Sequence, residues 1–507
     1  MTAPNTSPTG LGITQADRPM VIGGADVEAA SGERFERLSP AHDVLVGTYP
    51  KAGEEDVDRA VLAARRAFDL GPWPHLAGKE RARLLSSAAE LVRREAGELA
   101  RTEVLESGKP ISQARDEVEA AAELWDYAAT LARHAYGDAH NALGEDVLAV
   151  VLREAVGVVA VITPWNFPLL IVSQKLPFAL AAGCTAVVKP SDFTPGSTVR
   201  LAQLLRSAGF PDGVVNVVTG AGEVGAAMVA HPGVDMVSFT GSTAVGRQIG
   251  RAAGERLRKA ELELGGKNPQ IVCDDADFEA ALDAVVFGVY FNSGQCCNSG
   301  SRVLAQRGIA EQLTQAVVER SRVVPVGDPL DPATKVGAIT HEKQLHTIER
   351  YVAEGRSAGA RLLLGGARLP TNVGRFYEPT VFANVTPTMS IAREEIFGPV
   401  LSVLTFSGID EAIELANETM YGLSAGIWTR DLSTAIRAAR GIRAGTIWVN
   451  RWMEGYPELP FGGFANSGLG RELGRQALDE FTETKTVQFQ VGPRTSWWSA
   501  QNAEGPQ

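Results

Sequence analysis

The chain has 507 residues, 45% of them hydrophobic, which is enough for two or three domains because single cores stop growing at about 250 to 300 residues. Its 48 Lys and Arg against 60 Asp and Glu leave a net charge of −12, a field that repels polyanions and argues against nucleic acid as a partner. No run reaches the roughly 18 uninterrupted apolar residues of a membrane span, and the first residues lack a charged-then-apolar signal pattern, so the cytoplasm is the expected compartment.

Residues 1–18 are rich in Pro, Thr, Gly and Asn without an apolar period and read as a disordered tail, as do residues 492–507. From Glu54 to about Ala135 apolar residues recur at three- and four-residue steps, which predicts helices covering one face of a sheet. The stretch 137–156 is an excursion with partial strand alternation. Between Val156 and Gly266 short apolar runs (VGVVAVIT, TAVVKP, GVVNVVTG, VDMVSFTGS, KAELELGG) alternate with helical segments, the signature of a parallel sheet with helices on its faces. Such sheets bind ligands at the carboxyl ends of their strands. A second α/β pattern follows from about Asn268 to Phe464. TVQFQV near Thr486 alternates again; together with 137–156 it would leave exposed edges unless the two pair with each other or across subunits.

Two local signals are weak. GAGEVG, Gly220 to Gly225, has dinucleotide-fingerprint spacing after an apolar strand, but no acidic residue at the right distance completes it, and a plain glycine-rich turn is an equal reading. HEKQLH, His341 to His346, has one residue too many for a helical zinc pair, so no metal site is expected. The segment FNSGQCCNSGSR, Phe291 to Arg302, carries more. Four cysteines (Cys184, Cys273, Cys296, Cys297) are too few for a disulfide framework, and the adjacent pair is poorly placed for a bridge. A lone cysteine is most often a buried small hydrophobe. A reactive thiolate needs a lowered pKa, which a following helix terminus or a nearby cation supplies.

Four ordered segments, TPWNFP (Thr163 to Pro168), FTGSTAVG (Phe239 to Gly246), ELGGKNP (Glu263 to Pro269) and GQCC (Gly294 to Cys297), together resemble the aldehyde dehydrogenase superfamily. EEIFGPV (Glu394 to Val400) and PFGGFANSGLGREL (Pro460 to Leu473) extend the resemblance over nearly the whole chain. It implies an α/β fold with a Rossmann-like cofactor domain (19–136 and 157–265), an α/β catalytic domain (266–464), and a small β oligomerisation element with the C-terminal region (137–156 and 465–491). Dimers or tetramers follow from the same resemblance.

The resemblance also implies roles. Cys297 is the nucleophile, giving a thiohemiacetal and then a thioester; Cys296 is an inert neighbour. The amide of Asn166, with the Cys297 N–H, is the oxyanion donor, and Glu263 is the general base for the hydrolytic water. Lys175 and Glu472 match a proton-relay pair, and equally fit a plain buried ion pair. For NAD or NADP, Gly241, Ser242 and Val245 open a helix whose N–H groups hold the pyrophosphate, with Ile162, Trp165, Gly222, Phe239 and Leu264 around it. Lys189 and Asp192 sit at the adenosine ribose, and Glu395 and Phe397 at the nicotinamide ribose and ring. The family commonly has glutamate where this chain has Asp192; a carboxylate there repels a 2′-phosphate, so NAD is favoured over NADP. Ala465 replaces a common lysine, a change directed at surface or interface contacts.

The substrate tunnel is expected from Phe167, Ile171, Gln174, Tyr290, Phe291, Arg451, Trp452 and Phe461. Trp452 is similar to the betaine aldehyde and aminoaldehyde branch, whose aromatic faces hold a cation, whereas Gln174 replaces an aromatic common there. Arg451 fits an anionic tail or an exposed interface equally. Against a CoA-acylating semialdehyde dehydrogenase stands the retention of Glu263; against a crystallin-like structural protein, the retention of Cys297, Asn166 and Glu263. A cysteine hydrolase lacks a histidine near Cys297 in sequence.

Overall fold

This computed structural model describes residues 15–371, 373–493 and 498. Two large sheets dominate it. The first has eight strands, with a parallel centre in the order Lys259–Glu263, Met236–Thr240, Val158–Ile162, Thr185–Lys189, Val215–Val217. Antiparallel edges close it: Gly468–Leu469 beside Glu263, and the hairpin Met20–Ile22 and Ala25–Val27 on the other side. The continuous apolar runs of its central strands follow from burial on both faces. Val159 and Val161 face one core with the helices Gly78–Arg94, Ile111–Ala132 and Pro168–Ala182, while Val158, Ala160 and Ile162 face another.

That second core corrects the expectation that the helices between Glu54 and Ala135 share one face. The helix Glu54–Asp69 buries Val57, Ala60, Val61 and Ala64 against the opposite side of the sheet. Apolar periodicity defines a stripe on a helix, not the face of the sheet that the stripe will meet.

The second sheet has seven strands: Arg361–Leu364, Thr380–Ala383, Val400–Phe406, Arg302–Gln306, Pro269–Val272, Ser424–Trp428 and Thr446–Val449, all parallel except the first. It too has a core on each face. Strand Val147–Ala155 pairs along its full length with Thr482–Gln490 and also with Asp138–His140, so the two alternating segments meet each other within the chain. A further small sheet, Ala16–Asp17, Leu45–Pro50 and Arg34–Leu38, was not signalled by periodicity. It places Ala16 and Asp17 in a strand inside the stretch expected to be a tail; residues 1–14 of that stretch, and 494–497 and 499–507 of the other, lie outside the described residues. Among the described residues no helix is long and apolar enough to cross a membrane.

Candidate active site

The parallel strands of the first sheet end beside the loop that carries the vicinal cysteines. After the helix Phe278–Tyr290, a short turn Phe291–Gly294 has three successive left-handed residues, Asn292 (φ 48°), Ser293 (φ 58°) and Gly294 (φ 73°). A Cβ on Gly294 would lie 2.2 Å from the Gly398 carbonyl carbon, so only glycine admits that approach. Non-glycine residues in this region persist only where their surroundings over-determine them. Here side-chain amides do so. Asn292 Nδ2 donates to the carbonyls of Asn166 (3.0 Å) and Gln295 (3.2 Å), and Gln295 Nε2 donates to Asn292 O and Ala338 O. Gln295 Oε1 accepts from Thr340 N, and Asn268 Nδ2 grips the carbonyls of Cys297 (2.6 Å) and Ser299 (3.0 Å).

Cys297 is half-buried at the end of this turn, and Cys296 is buried in an apolar cluster with Phe167 and Ile171. The expectation of a thiol acidified by a helix terminus or cation is not met. The Cys296 thiol, burial, and the carboxylates of Glu263 and Glu395 all push the Cys297 pKa well above its usual value. No helix follows Cys297 directly; the chain enters the strand Arg302–Gln306. These surroundings favour the neutral thiol over the thiolate at Cys297.

Asn166 follows the strand Val158–Ile162 and is buried; its Nδ2 donates to the carbonyl of Gln295, two residues before Cys297, at 3.1 Å. That bond fixes which end of the amide is nitrogen, and leaves its second N–H. Glu263 ends its strand with the side chain buried, and its pKa is raised well above the usual range by burial and by Glu472, with Lys175 opposing. Lys175 pairs with Glu472 as expected, and also approaches Glu261 at 3.9 Å. Burial works to lower the Lys175 pKa, but Glu472 and Glu261 outweigh it and the net shift is upward. Glu261, pushed up to about 8 by burial, accepts from Ser238 Oγ at 2.5 Å. The cluster is thus three carboxyls around one ammonium. Glu261 was missed, although a period of two puts it on the same strand face as Glu263.

The expected cofactor residues gather along the same strand ends. The helix Thr243–Glu255 starts from Ser242, whose side chain accepts from Val245 N; Gly241 N is held by Glu263 O at 3.0 Å. Gly246 packs against buried Leu264, where a Cβ would come within 2.3 Å, so the helix start is drawn close to the sheet. Val245 is 41% exposed on the open side, while Phe239 and Ile162 are buried beneath. Lys189 donates to the carbonyls of Pro190 (2.7 Å) and Gly220 (3.1 Å), and burial lowers its pKa to about 8. GAGEVG forms the turn into a nine-residue helix, Gly222–Ala230. Beside it a hollow of about 250 Å³ is lined by Lys51, Asp192, Phe193, Gly220, Ala221 and Glu223. From the other sheet, Glu395 accepts from Gly266 N at 3.1 Å and its pKa rises to about 7 through burial. Phe397 (φ 57°) stands edge-on to Trp165 at 5.3 Å.

Thr163 Oγ1, Asn166 Oδ1, Thr240 Oγ1, Glu263 Oε1 and Lys267 Nζ are buried here without a hydrogen-bond partner. Buried polar atoms are rarely left so. An elongated polar ligand along these strand ends fits the orphaned atoms, the open helix start and the hollow together.

The tunnel expectations divide. Phe167 stacks on Phe291 (5.8 Å, 18°), and with Ile171, Leu170 and Met453 they form the apolar cluster around Cys296. Gln174 lies half-buried on the same helix. Trp452 is instead a core residue, packed on Trp448 and so close to Gly288 and Gly426 that a Cβ on either would clash with it. Tyr290 is likewise in that core. The rule that a large aromatic buries its area wins over the aromatic-box reading at both. Arg451 is 41% exposed at its side chain and paired with Glu454 and the Tyr456 hydroxyl. Phe461 pairs through its backbone with Glu472. Ala465 is exposed, in a left-handed turn (φ 51°) next to Asn466, which accepts from Arg247. His341 caps its own helix by accepting from Gln344 N, and burial lowers its pKa to about 4; His346 pairs with Glu342 at the surface.

The loop of Cys297 is thus tied to Asn166 at the end of one strand of an α/β sheet, and the carboxyl of Glu263 at the end of another acts electrostatically on the same thiol, an arrangement that fits an α/β enzyme. The sequence model of the Aldehyde dehydrogenase family matches residues 27–487, and the chain belongs to that family of oxidoreductases. It is 41% identical over 471 residues to aldehyde dehydrogenase family 2 member C4 of Arabidopsis thaliana (92% of this chain, 94% of that protein). To betaine aldehyde dehydrogenase of Bacillus subtilis it is 40% identical over 484 residues (94% and 99%). Among solved structures, an NAD-dependent aldehyde dehydrogenase from Sinorhizobium meliloti superposes with TM-score 0.95 at 52% identity, covering 96% of this chain and 97% of that one. Betaine aldehyde dehydrogenase from Staphylococcus aureus, in complex with NAD+, does so with TM-score 0.93 at 37% identity, covering 96% and 97%.

Proposed function

We propose that the protein oxidises an aldehyde to a carboxylic acid with NAD, through a thioester on Cys297. The observation that carries this reading is the convergence on the Cys297 loop of Asn166, bound to Gln295 O, and of the buried carboxyl of Glu263. The Cys297 sulfur adds to the aldehyde carbon as its proton passes to a base, and the developing oxyanion is met by the free N–H of Asn166. NAD, when bound, supplies the acceptor for the hydride that leaves that carbon. Glu263, held by burial well above the usual carboxylate range and so a stronger base, activates the water that cleaves the thioester. The released proton passes to the Glu472–Lys175–Glu261 cluster.

Ser242, Gly241 and Val245 would hold the pyrophosphate, Lys189 and Asp192 the adenosine ribose, and Glu395 and Phe397 the nicotinamide end. Asp192 beside the hollow would accept from the ribose hydroxyls of NAD, in a lining that also holds Arg37 and Lys51 along with Glu36 and Glu223. The expected division into cofactor, catalytic and oligomerisation parts is supported by the two large sheets and by the strand pair 147–155 with 482–490. The exposed Leu148, Leu152 and Phe489 of that pair suit an assembly contact between subunits, in a dimer or tetramer. The test is a panel of neutral, cationic and anionic aldehydes with NAD and with NADP, following reduced cofactor. Reduction by none of them in thiol-titrated protein overturns the reading.

A further inference from the structure

The helix Pro168–Ala182, which carries Lys175 and Gln174 and follows directly on Asn166, has no side-chain cap at Phe167, and its first residue, Pro168, has no N–H to offer. Its next two donors are taken by carboxylates from elsewhere: Leu169 N by Glu103 (2.8 Å) and Leu170 N by Glu117 (3.4 Å). Both carboxylates are buried and are joined by Lys109, which pairs with Glu117 and reaches Glu103 at 3.4 Å. The same ammonium lies 4.6 Å from the centroid of the Phe167 ring. A buried clasp thus caps the helix on the oxyanion side of the site.

Four residues before Glu117, on the same face of the helix Ile111–Ala132, half-buried Gln113 accepts from Asn292 N at 2.9 Å. Its Nε2 donates to Lys335 O at 3.0 Å. Asn292 is the first left-handed residue of the nucleophile turn, and its own amide binds Asn166 O and Gln295 O. One helix face therefore touches both halves of the catalytic pair: Glu117 fixes the helix behind Asn166, and Gln113 fixes the turn before Cys297.

We propose that Gln113 and Glu117 are positioning residues that set the register between the Asn166 amide and the Cys297 sulfur. This rests on the catalytic roles proposed above for those two residues. Neither Gln113 nor Glu117 touches the reacting atoms; each acts through backbone N–H groups of the loops that do. A small misplacement of reacting groups is enough to slow an enzyme by up to about 10²-fold.

Gln113 gives the cleaner test, because it is half-buried and uncharged, whereas removing Glu117 strands the buried Lys109. In Gln113→Ala, kcat per titrated thiol should fall roughly tenfold to thirtyfold with the KM for NAD unchanged, and Gln113→Glu, which keeps the acceptor for Asn292 N, should recover most of it. On an Asn166→Ala background the Gln113→Ala effect should shrink to about twofold, since a misplaced donor matters only while the donor exists. A wild-type enzyme without activity overturns the underlying reading and this one with it. With a working wild type, three results overturn this one alone: Gln113→Ala within about twofold of wild type, equal losses in Gln113→Ala and Gln113→Glu, or full additivity with Asn166→Ala.

Discussion

The two sheets deliver their catalytic groups in different ways. The first presents Glu263, Gly241 and Lys189 at the ends of regular parallel strands, where the backbone ladder itself fixes position. The second presents Cys297 on a turn with three consecutive left-handed residues, and side-chain amides replace the ladder. Regular strands therefore hold the proposed base and one side of the proposed cofactor site, while a network of Asn and Gln side chains holds the proposed nucleophile. Substitutions at Glu263, Gly241 or Lys189 should show as defects of cofactor binding or deacylation. Those at the turn before Cys297 should show as defects of the attacking step.

The largest expected effect lies on the turn. Cys297→Ala should abolish aldehyde oxidation by more than about 10³-fold, while Cys296→Ala, which alters the apolar cluster and removes one of the groups that raise the Cys297 pKa, should leave kcat within a few-fold; steady-state assays after thiol titration decide it. On the strand side, Glu263→Gln should slow turnover by roughly 10² to 10⁴-fold, with a rapid first turnover surviving, as stopped-flow detection of reduced cofactor will reveal. Asn166→Ala should cost about 10² to 10³-fold in kcat, with little change in the KM for NAD. Equal rises in the KM for NAD for Asn268→Ala, which frees the Cys297 carbonyl, and for Ser242→Ala would erase the division between the two sides.

A smaller effect concerns pH. The raised pKa of Glu263 puts its base form above the usual carboxylate range, so wild-type turnover should rise with pH, and Glu263→Gln should lose the part of that rise that Glu263 supplies while keeping the part due to the Cys297 thiol. The smallest effect is on stability. Burial lowers the His341 pKa from its ordinary 6.5 to about 4 in the folded chain, so the unfolded chain binds the extra proton first. Its contribution to stability is complete above about pH 6.5 and is lost as pH falls toward about 4. His341→Asn, which retains a capping side chain, should flatten the melting temperature over that window in calorimetry.

The same division explains what could be read from the residues alone. The parallel strands and the alternation near 147–155 and 482–490 were legible because period-two alternation and continuous apolar runs report burial directly, but whether those two segments pair with each other or across subunits was decided only by the structure. Cys297, Asn166 and Glu263 were legible as motif positions. The clamps were not: Gln113 and Glu117 meet their partners across 179 and 53 residues of sequence, and a polar residue on a helix face looks the same whether it meets water or a loop. Asn268 stood inside ELGGKNP and was passed over, because its function is to hold a carbonyl and not to react. Trp452 and Tyr290, expected in the tunnel from the family resemblance, pack in the core: a motif position does not say whether an aromatic side chain points into a tunnel or into the adjoining core, and at Trp452 the neighbouring glycines make room for the core.

The central claim, that Cys297 carries the acyl group, is tested most directly by mass spectrometry of Glu263→Gln quenched within the first turnover with NAD and an aldehyde that the wild type oxidises. The account predicts an added mass equal to the aldehyde minus two hydrogens, one lost as hydride and one as the thiol proton, on the peptide containing Cys297 and absent after Cys297→Ala. An unmodified enzyme that has nevertheless reduced NAD, or an acyl group mapped to Cys296, would contradict it.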